Sequence, residues 1–278
     1  MQRIAIIPNL KKDPELQVTK KLVDEINKRV TVVLPGEFKG KVLNAEFSDD
    51  VYRNADAAII VGGDGTVINA ALPCAKADVP MLGVNLGRVG FMSEVELCSI
   101  GDAIESLLEG DYTVESRMMM DVEITRKSGE VRLFHALNDA VIEKARGVNL
   151  IGIELFSGAE KIIQYVADGI IISTPTGSTG YNLSAGGPVV NPLMSLFVAT
   201  AICPHMLTAR PAVLPSEKPI VITSGCGICR KALASVDGEP VCDLEPGDKV
   251  TITKSEYTAK LIKTVRRSFY DTLIEKLL

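Results

Sequence analysis

The chain has 278 residues, of which 46% are hydrophobic and 23% charged, so it holds enough apolar residues to build a folded core. Its formal net charge of −5 argues against the basic surface that nucleic-acid binding needs, and an anionic membrane would repel it. The longest apolar stretch, Leu193 to Cys203, is too short to cross a bilayer, and the N-terminus lacks the pattern of a secretory signal. These features predict a cytoplasmic protein that binds neither nucleic acid nor membrane.

The first part of the chain alternates short apolar runs with amphipathic segments, which is typical of an α/β domain. Strands are predicted, in chain order, over Arg3–Pro8, Thr31–Pro35, Ala57–Val61 and Met81–Asn85. After the first strand, Asp13 and Pro14 predict a helix start, with the aspartate as N-cap and the proline at the first helical position. A second helix is expected from Val67, and a third between Ser99 and Gly110.

After Tyr112 the pattern changes to alternating polar and apolar residues, which predicts half-buried strands separated by glycine turns. Asn138-Asp139 lies at the centre of one strand-like run, the apolar stretch before His205 is helix-like, and helical character returns from Tyr257. We therefore predict an α+β protein in three parts. These are an α/β domain over 1–115, a β-rich, sandwich-like domain over 116–255, and a C-terminal segment, 256–278, that packs back on the first domain.

The six cysteines do not form a disulfide framework in a chain of this length. Cys226 and Cys229 form one C-x-x-C motif, to which Cys242 could add a third thiol. A zinc or redox site is one interpretation of these cysteines, and ordinary reduced thiols are the other. The two histidines argue against a three-histidine metal site, and His205 suits a capping or packing role.

The strongest local motif is GGDGT, residues 62–66, directly after a buried strand. Its glycines allow a phosphate to approach the backbone, and the N–H groups of a following helix would face the same ligand. Asp64 is the only charged side chain of this loop, and a carboxylate there suits a hydroxyl or a metal ion. The alternative is a tight turn with a solvated aspartate. Neither G-x-G-x-x-G nor the P-loop motif is present, so no P-loop lysine is available.

A second cluster runs from Asp168 to Pro188, where a buried strand leads into a dense run of hydroxyls and glycines. Hydroxyls and free backbone N–H groups suit ribose, amide and phosphate recognition, and Tyr181 offers a flat face for a base. A flexible Ser/Gly-rich loop is the alternative. Asn138 and Asp139 could together take both hydroxyls of one ribose, although a surface bulge would also explain them.

Together these clusters resemble the NAD kinase family, which uses ATP or polyphosphate as the phosphate donor. The matching segments follow the order of the family and are GGDGT (62–66), NLGRVGF (85–91), LND (137–139), DGIIISTPTGSTGYNLSAGGPVVNP (168–192), PHMLTARPAVLP (204–215) and VDGE (236–239). GGDGT by itself is also similar to phosphofructokinases and to diacylglycerol and sphingosine kinases, whereas the STPTGST and SAGGP segments are typical of NAD kinases. The alternatives are another GGDGT-type kinase acting on a lipid or a sugar phosphate, and a catalytically silent NAD(P)-binding regulator.

The resemblance implies transfer of a phosphoryl group from ATP or polyphosphate to the 2′-hydroxyl of the adenosine ribose of NAD, giving NADP, with Mg²⁺. It also implies an active site between two domains, and a homodimer or homotetramer. By position, Asp64 is the catalytic acid/base, with Gly63 and Gly65 beside it, and no residue is assigned as a metal ligand. The other implied binding residues are Asn138 and Asp139 for the adenosine ribose, Asp168 for the nicotinamide carboxamide, Thr179, Gly180, Tyr181, Asn182 and Ser184 for the adenine and nicotinamide pockets, and Glu239 near the ligand.

The chain departs from the family pattern at two positions. The family usually has Asn-Glu where this chain has Asn138-Asp139, and Ser-Thr-Ala-Tyr where it has Gly180 in place of the alanine. Aspartate is one methylene shorter than glutamate, so a longer or water-bridged contact to the ribose is expected. Gly180 removes a methyl group from the pocket and loosens the loop. Neither departure touches Asp64.

Overall fold

The computed structural model describes residues 1–87, 90–93, 95–147, 150–206, 208–224, 231–264 and 267–277. The chain divides into two compact units: unit 1 combines Met1–Ser116 with Ala259–Leu278, and unit 2 is Arg117–Thr258. Over the described ranges, none of the helices combines the length and the apolar character that a bilayer crossing requires.

Unit 1 is built on a parallel sheet. Its strands are β1 (Arg3–Pro8), β2 (Thr31–Pro35), β3 (Glu46–Ser48), β4 (Ala57–Gly62) and β5 (Met81–Asn85). They lie in the order β5-β4-β1-β2-β3, and each neighbouring pair is parallel. Parallel sheets are covered on both faces, which is why these strands read as continuous apolar runs. The four predicted strands are confirmed. Strand β3 was not predicted, because its three residues, one exposed and two half-buried, are too few to show an alternating pattern.

The helices of unit 1 before the second unit are α1 (Gln17–Ile26), α2 (Asp64–Lys76) and α3 (Ile100–Glu109). The predicted start of α1 after Asp13 is wrong, since Leu16, with φ of 54°, directly precedes the helix. Asp13 nevertheless serves the helix from the preceding loop, because its buried carboxylate accepts the Thr19 N–H at 2.9 Å and the Thr19 hydroxyl at 2.7 Å. Helix α2 begins three residues before the predicted Val67, directly at Asp64.

Unit 2 consists mainly of antiparallel strands. Along the chain these are β6 (Thr113–Thr125), β7 (Val131–Ala136), β8 (Asp139–Lys144), β9 (Ile151–Ser157), β10 (Glu160–Ala167), β11 (Gly169–Ser173), β12 (Leu196–Ile202), β13 (Ala212–Pro215), β14 (Ile220–Ser224), β15 (Ala232–Val236), β16 (Glu239–Leu244) and β17 (Lys249–Lys263). One sheet has the order β13-β12-β11-β8-β15-β16, and a second set of strands has the order β10-β9-β14-β17. The first residues of β6 and the last residues of β17 belong to unit 1.

The core of unit 2 combines apolar side chains from both sets of strands. Ile172 and Phe197 come from the six-stranded sheet, Leu155 and Ile252 come from the second set, and all four belong to one buried cluster. This is the arrangement of a β-sandwich, in which inward-facing side chains of two sheets form the core. The predicted fold class, an α/β part followed by a β-rich, sandwich-like part, is confirmed.

Two local predictions for the later part of the chain are wrong. The apolar stretch before His205 is strand β12 rather than a helix, because a short apolar run buried on both faces has no period that distinguishes the two structures. Helical character does not return at Tyr257, since β17 continues to Lys263 with alternating burial. Helix α4 (Tyr181–Ser184) is a single turn, and the C-terminal helix α5 (Phe269–Leu277) begins later than predicted.

Candidate active site

The GGDGT segment forms the junction between β4 and α2 in unit 1. Strand β4 ends at Gly62 and α2 begins at Asp64, so Gly63 is the one residue between them and Asp64 lies in the first turn of the helix. The N–H groups of a first helical turn have no intrahelical acceptor, and together with the helix dipole they favour an anion. A Cβ atom added to Gly65 would meet nothing within 4 Å, so open space lies beside this turn.

The Asp64 carboxylate is held by the loop 90–93. Its Oδ2 accepts the Phe91 N–H at 2.8 Å. Its Oδ1 accepts the N–H of Ser93 at 2.9 Å, the Ser93 hydroxyl at 2.7 Å and the Met92 N–H at 3.2 Å. A carboxylate oxygen has two lone pairs, and among the described donors Oδ2 receives one, so Oδ2 can accept a further hydrogen bond from a substrate hydroxyl.

Gly90 makes this close approach possible. A Cβ atom at that position would overlap the Asp64 carboxylate and the Ser93 hydroxyl. The next residue, Phe91, packs against α5. The Phe91 ring centroid lies 5.9 Å from that of Phe269 and 4.6 Å from Lys276 Nζ. The C-terminal helix therefore supports the loop that orients Asp64.

A lysine that motif analysis missed also reaches the glycine segment. Lys12 lies between β1 and α1, and its Nζ is 3.4 Å from the carbonyl oxygen of Gly62. A Cβ atom at Gly63 would overlap this ammonium group, so the absence of a side chain there lets the lysine lie against the backbone. The absence of a P-loop motif therefore does not leave the segment without a lysine. No spacing rule links residue 12 to residue 62, so only the fold reveals the contact.

A second polar region lies in unit 2, where the chain passes between strands of different sheets. Strand β7 ends at Ala136 and β8 begins at Asp139, so the prediction that Asn138-Asp139 is at the centre of one strand is wrong. The Asn138 Oδ1 atom is buried and has no hydrogen-bond partner among the described residues. A buried acceptor without a partner is costly, and a ligand hydroxyl would satisfy it.

Asp237, in the turn between β15 and β16, holds this segment. Its carboxylate accepts the N–H groups of Leu137 at 2.8 Å, Asn138 at 2.7 Å and Asp139 at 3.2 Å. In the same VDGE motif the residue predicted to lie near the ligand is Glu239, which is exposed at the start of β16. The VDGE motif contains Asp237, but the segment that Asp237 binds lies a hundred residues earlier in the chain. The motif by itself therefore did not reveal this contact.

A cavity of about 290 Å³ opens at these residues, and it brings together three of the predicted binding residues. It is lined by Asn138, Asp139, Val141, Glu143, Tyr181, Ser235, Asp237 and Gly238. Burial, and secondarily the charge of Asp237, raise the pKa of Asp139 to about 7. Burial also raises the pKa of Asp237, against the effect of its three N–H donors. Those N–H donors favour the ionised form of Asp237. We therefore expect Asp237 to be the charged member of the pair at acidic pH and Asp139 to be the protonated one.

The other predicted binding residues of unit 2 differ in accessibility. Ser184 and Tyr181 are exposed. Partial desolvation of the Tyr181 phenol, and secondarily nearby negative charges such as that of Glu143, raise the pKa of Tyr181. Asp168 forms an ion pair with Lys144 at 2.8 Å.

A methyl group at Gly180 would lie 3.3 Å from the Gly177 carbonyl oxygen, so the alanine usual in the family needs a small local shift here. Thr179 is half-buried, and its hydroxyl lies 3.4 Å from the carbonyl oxygen of Thr176.

Asn182 has a structural role instead. Its side chain is fully buried, and its amide nitrogen donates to the carbonyl oxygens of Ser178 and Pro188, both at 3.0 Å. Its amide oxygen accepts the Thr200 hydroxyl at 2.7 Å. We therefore reassign the Asn182 side chain from a ligand pocket to the support of the loop around it.

The described part of the chain contains no group of three or more His, Cys, Asp or Glu residues placed to hold a metal ion. Magnesium is commonly held by one or two carboxylates and the phosphates of a substrate. Asp64, in the first turn of α2, is a carboxylate beside the proposed phosphate position. Cys226 and Cys229 lie outside the described residues, as do Arg88 and Val89 of the NLGRVGF segment. Cys242 is a buried free thiol.

Comparison with known proteins decides the family. The model of the ATP-NAD kinase N-terminal domain matches residues 4–112, and that of the ATP-NAD kinase C-terminal domain matches residues 137–264. This chain belongs to the ATP-NAD kinase family. It is 37% identical to the NAD kinase of Natranaerobius thermophilus and 36% identical to that of Heliobacterium modesticaldum, and both alignments cover 100% of this chain and 98% and 99% of those proteins.

Two solved structures share the fold of this chain. A crystal structure of yeast NADH kinase complexed with NADH has a TM-score of 0.87 at 23% identity, covers 100% of this chain and 87% of that protein, and supports the fold alone. An NAD kinase from Archaeoglobus fulgidus in complex with ATP has a TM-score of 0.75 at 26% identity, covering 99% and 98% of the two chains. Membership of the ATP-NAD kinase family removes the support for a lipid or sugar-phosphate kinase.

Proposed function

We propose that this ATP-NAD kinase family member transfers the γ-phosphoryl group of ATP to the 2′-hydroxyl of the adenosine ribose of NAD, producing NADP. The observation that carries the proposal is the environment of Asp64: its carboxylate is oriented by four donors and keeps an acceptor direction open beside a helix N-terminus. Relatives named NAD kinase over the full length of the chain support the same activity.

Phosphoryl transfer depends mainly on positioning and on neutralising charge, because its transition state is loose. In the proposed mechanism the first turn of α2 binds donor phosphates through backbone N–H groups. The ribose 2′-oxygen forms a bond to the γ-phosphorus as the bond to the β,γ-bridging oxygen breaks and ADP leaves. Asp64 accepts a hydrogen bond from the 2′-hydroxyl and takes its proton late in the transfer, so little basicity is needed before bond formation.

We assign the recognition of NAD to the polar cavity of unit 2. The unsatisfied Asn138 Oδ1 and the Asp139 carboxylate are acceptors for ribose hydroxyls of NAD other than the reacting 2′-hydroxyl, whose single proton is donated to Asp64. Tyr181 offers an aromatic face at the same cavity for a base. Asp168 can accept from the nicotinamide carboxamide if its ion pair with Lys144 rearranges, and Gly180 and Ser184 flank Tyr181 in the same loop.

A magnesium ion bound to the triphosphate would neutralise phosphate charge, and Asp64, in the first turn of α2 where the phosphates are proposed to bind, is the residue that would hold it. We propose ATP as the donor, with polyphosphate as the alternative. The described cysteines Cys74, Cys98, Cys203 and Cys242 are free thiols, which suits the cytoplasm that we propose as the site of action.

We further propose that the protein is a homodimer or homotetramer. The support is apolar surface in unit 2: Val213 is 57% exposed on β13, an edge strand, and Leu193 and Met194 are 58% and 51% exposed. Exposed edge strands and apolar side chains are common features of subunit contacts.

The test is the substitution Asp64→Asn with NADP formation as the readout. The amide cannot take a proton but preserves size, so turnover should fall by about a hundredfold or more while NAD still binds. Turnover within about tenfold of the wild type would show that Asp64 is not the base. The wild-type protein is assayed in parallel with diacylglycerol and fructose 6-phosphate, which should not be phosphorylated, and absence of NADP from wild-type reactions would favour a silent regulator.

A further inference from the structure

The loop between β1 and α1 is attached to the GGDGT segment at its first residues. The Asn9 N–H donates to the carbonyl oxygen of Val61, at 3.0 Å, and the Asn9 side-chain amide donates to the Thr66 hydroxyl at 2.8 Å. These two bonds join the loop to β4 on one side of the glycine segment and to α2 on the other. The start of the loop is therefore fixed relative to Asp64.

The other end of the loop is fixed by a buried carboxylate. Asp13 is 4% exposed, and it binds the N–H and the hydroxyl of Thr19 in α1. The backbone N–H groups of Lys12 and Asp13 both donate to the Asn9 carbonyl oxygen, at 2.9 and 2.8 Å. Lys12 thus lies between two anchored residues, and its backbone is positioned before any ligand binds.

The Lys12 ammonium group lies over the glycine backbone. Its Nζ is 3.4 Å from the Gly62 carbonyl oxygen, which is longer than an ordinary N–H···O bond. Cβ atoms at Gly63 and Gly87 would lie in contact with Nζ, the second at 3.9 Å, so the two glycines leave the space that the ammonium group occupies. A positive charge beside a helix N-terminus is poorly placed for the helix itself, since the dipole favours an anion there.

An anion bound at this point would resolve that repulsion. Phosphate oxygens at the first turn of α2 would lie against Gly63, within reach of the Lys12 ammonium group. Lysine binds phosphates as a compact point charge with three donors, and no other lysine is assigned to this segment by its motif.

We propose that Lys12 binds the triphosphate of the phosphoryl donor at the GGDGT segment, an inference that rests on the proposed NAD kinase function. Lys12 thereby supplies from the β1–α1 loop the charge that a P-loop lysine supplies elsewhere. Its contribution is to the binding of donor phosphates and not to the recognition of NAD.

The experiment compares Lys12→Met with Lys11→Met, which removes a neighbouring exposed lysine, in the full-length protein. ATP binding is measured by titration calorimetry, and KM is measured separately for ATP and for NAD. For Lys12→Met we expect the Kd and KM for ATP to rise by about tenfold to a hundredfold, as for the loss of one charged hydrogen-bonding contact. The KM for NAD should stay within about threefold, and Lys11→Met should resemble the wild type. Circular dichroism verifies that both variants are folded.

An unchanged Kd for ATP in Lys12→Met would overturn the inference, and so would an equal loss in Lys11→Met. An equal rise in KM for ATP and NAD would also overturn it, since that would indicate general damage to the site. Failure of the proposed NAD kinase function can be distinguished from failure of this inference. In the first case the wild type would make no NADP, while calorimetry would still show whether ATP binding depends on Lys12.

Discussion

At the scale of single residues, two carboxylates of the candidate site have opposite surroundings. Asp64 is surrounded by hydrogen-bond donors, which orient it. Asp139 is 6% exposed and lies beside Asp237, so it is both desolvated and close to a second negative charge. Carboxylates in such different surroundings are suited to different roles. We assign proton transfer to Asp64 and ribose recognition to Asp139.

The raised pKa of Asp139, about 7, predicts that NAD binding depends on pH. Above pH 7 the carboxylate accepts hydrogen bonds from ribose hydroxyls, whereas below it the protonated group loses acceptor capacity, so the KM for NAD should rise as the pH falls. The groups facing Asp139 are Asp237 from the β15–β16 turn, Glu143 from β8 and Tyr181 from α4. The measurement is the KM for NAD between pH 5.5 and 8.5.

Two variants assign the pH dependence. Asp139→Asn should remove the inflection near pH 7, and Asp237→Asn should move it to lower pH by removing the neighbouring charge. Persistence of the inflection in Asp139→Asn would contradict the assignment.

The pKa of Asp139 is above its usual 3.8, so its ionisation disfavours the folded state. Its contribution to the free energy of unfolding is therefore full below about pH 4 and is lost as the pH rises through 7.

At the scale of elements, the orientation of Asp64 depends on three segments of unit 1. Helix α2 carries the aspartate, the loop 90–93 binds its carboxylate, and α5 packs on that loop through Phe91 and Phe269. The loop and the helix meet only because Gly90 has no side chain. The geometry of the proposed base is thus a property of packed elements as well as of the GGDGT motif.

Gly90→Ala should displace the Asp64 carboxylate, because the new methyl group would occupy its place. We expect kcat to fall by about tenfold or more, with little change in the KM for NAD, since a misplaced base affects the reaction more than binding. The matched control is Gly101→Ala in α3, where a Cβ meets nothing within 4 Å. Steady-state kinetics of both variants test this, and a kcat for Gly90→Ala equal to that of the control would refute the role of the loop.

At the scale of the whole molecule, each unit has its own buried core. In unit 1 the core cluster includes residues of the parallel sheet and of α1 and α3, together with Ile262 from the end of β17. In unit 2 the cluster lies between the two sets of antiparallel strands. The N-terminal family model falls within unit 1, and the C-terminal model covers most of unit 2.

The proposed oligomer is tested by placing a charge on the exposed edge strand. Val213→Glu should reduce the molecular mass measured by sedimentation, because a buried unpaired carboxylate opposes subunit contact while an exposed one costs little. Leu43→Glu, at a 75% exposed residue of unit 1, is the control and should leave the mass unchanged. A wild-type protein that sediments as a monomer would contradict the proposal itself.

Sequence patterns alone were sufficient for the features that depend on neighbouring residues. The apolar runs of β1, β2, β4 and β5 predicted the strands of unit 1, and the glycines around Asp64 predicted a strand-to-helix junction. Helix boundaries were less predictable: α1 begins after Leu16 rather than at Pro14, since the loop before it is held by contacts to Asn9 and Thr19 that no local propensity encodes.

The amino-acid sequence by itself determined the fold class, the family and the position of the GGDGT segment, because periodicity and motifs are local and survive without coordinates. Only the tertiary structure decided which side chains contact that segment and which line the polar cavity of unit 2. Lys12 reaches Gly62 across 50 residues, and Asp237 binds Leu137 across 100. Such contacts follow from how strands are ordered in a sheet and where their ends meet, and that order is a property of the packed chain.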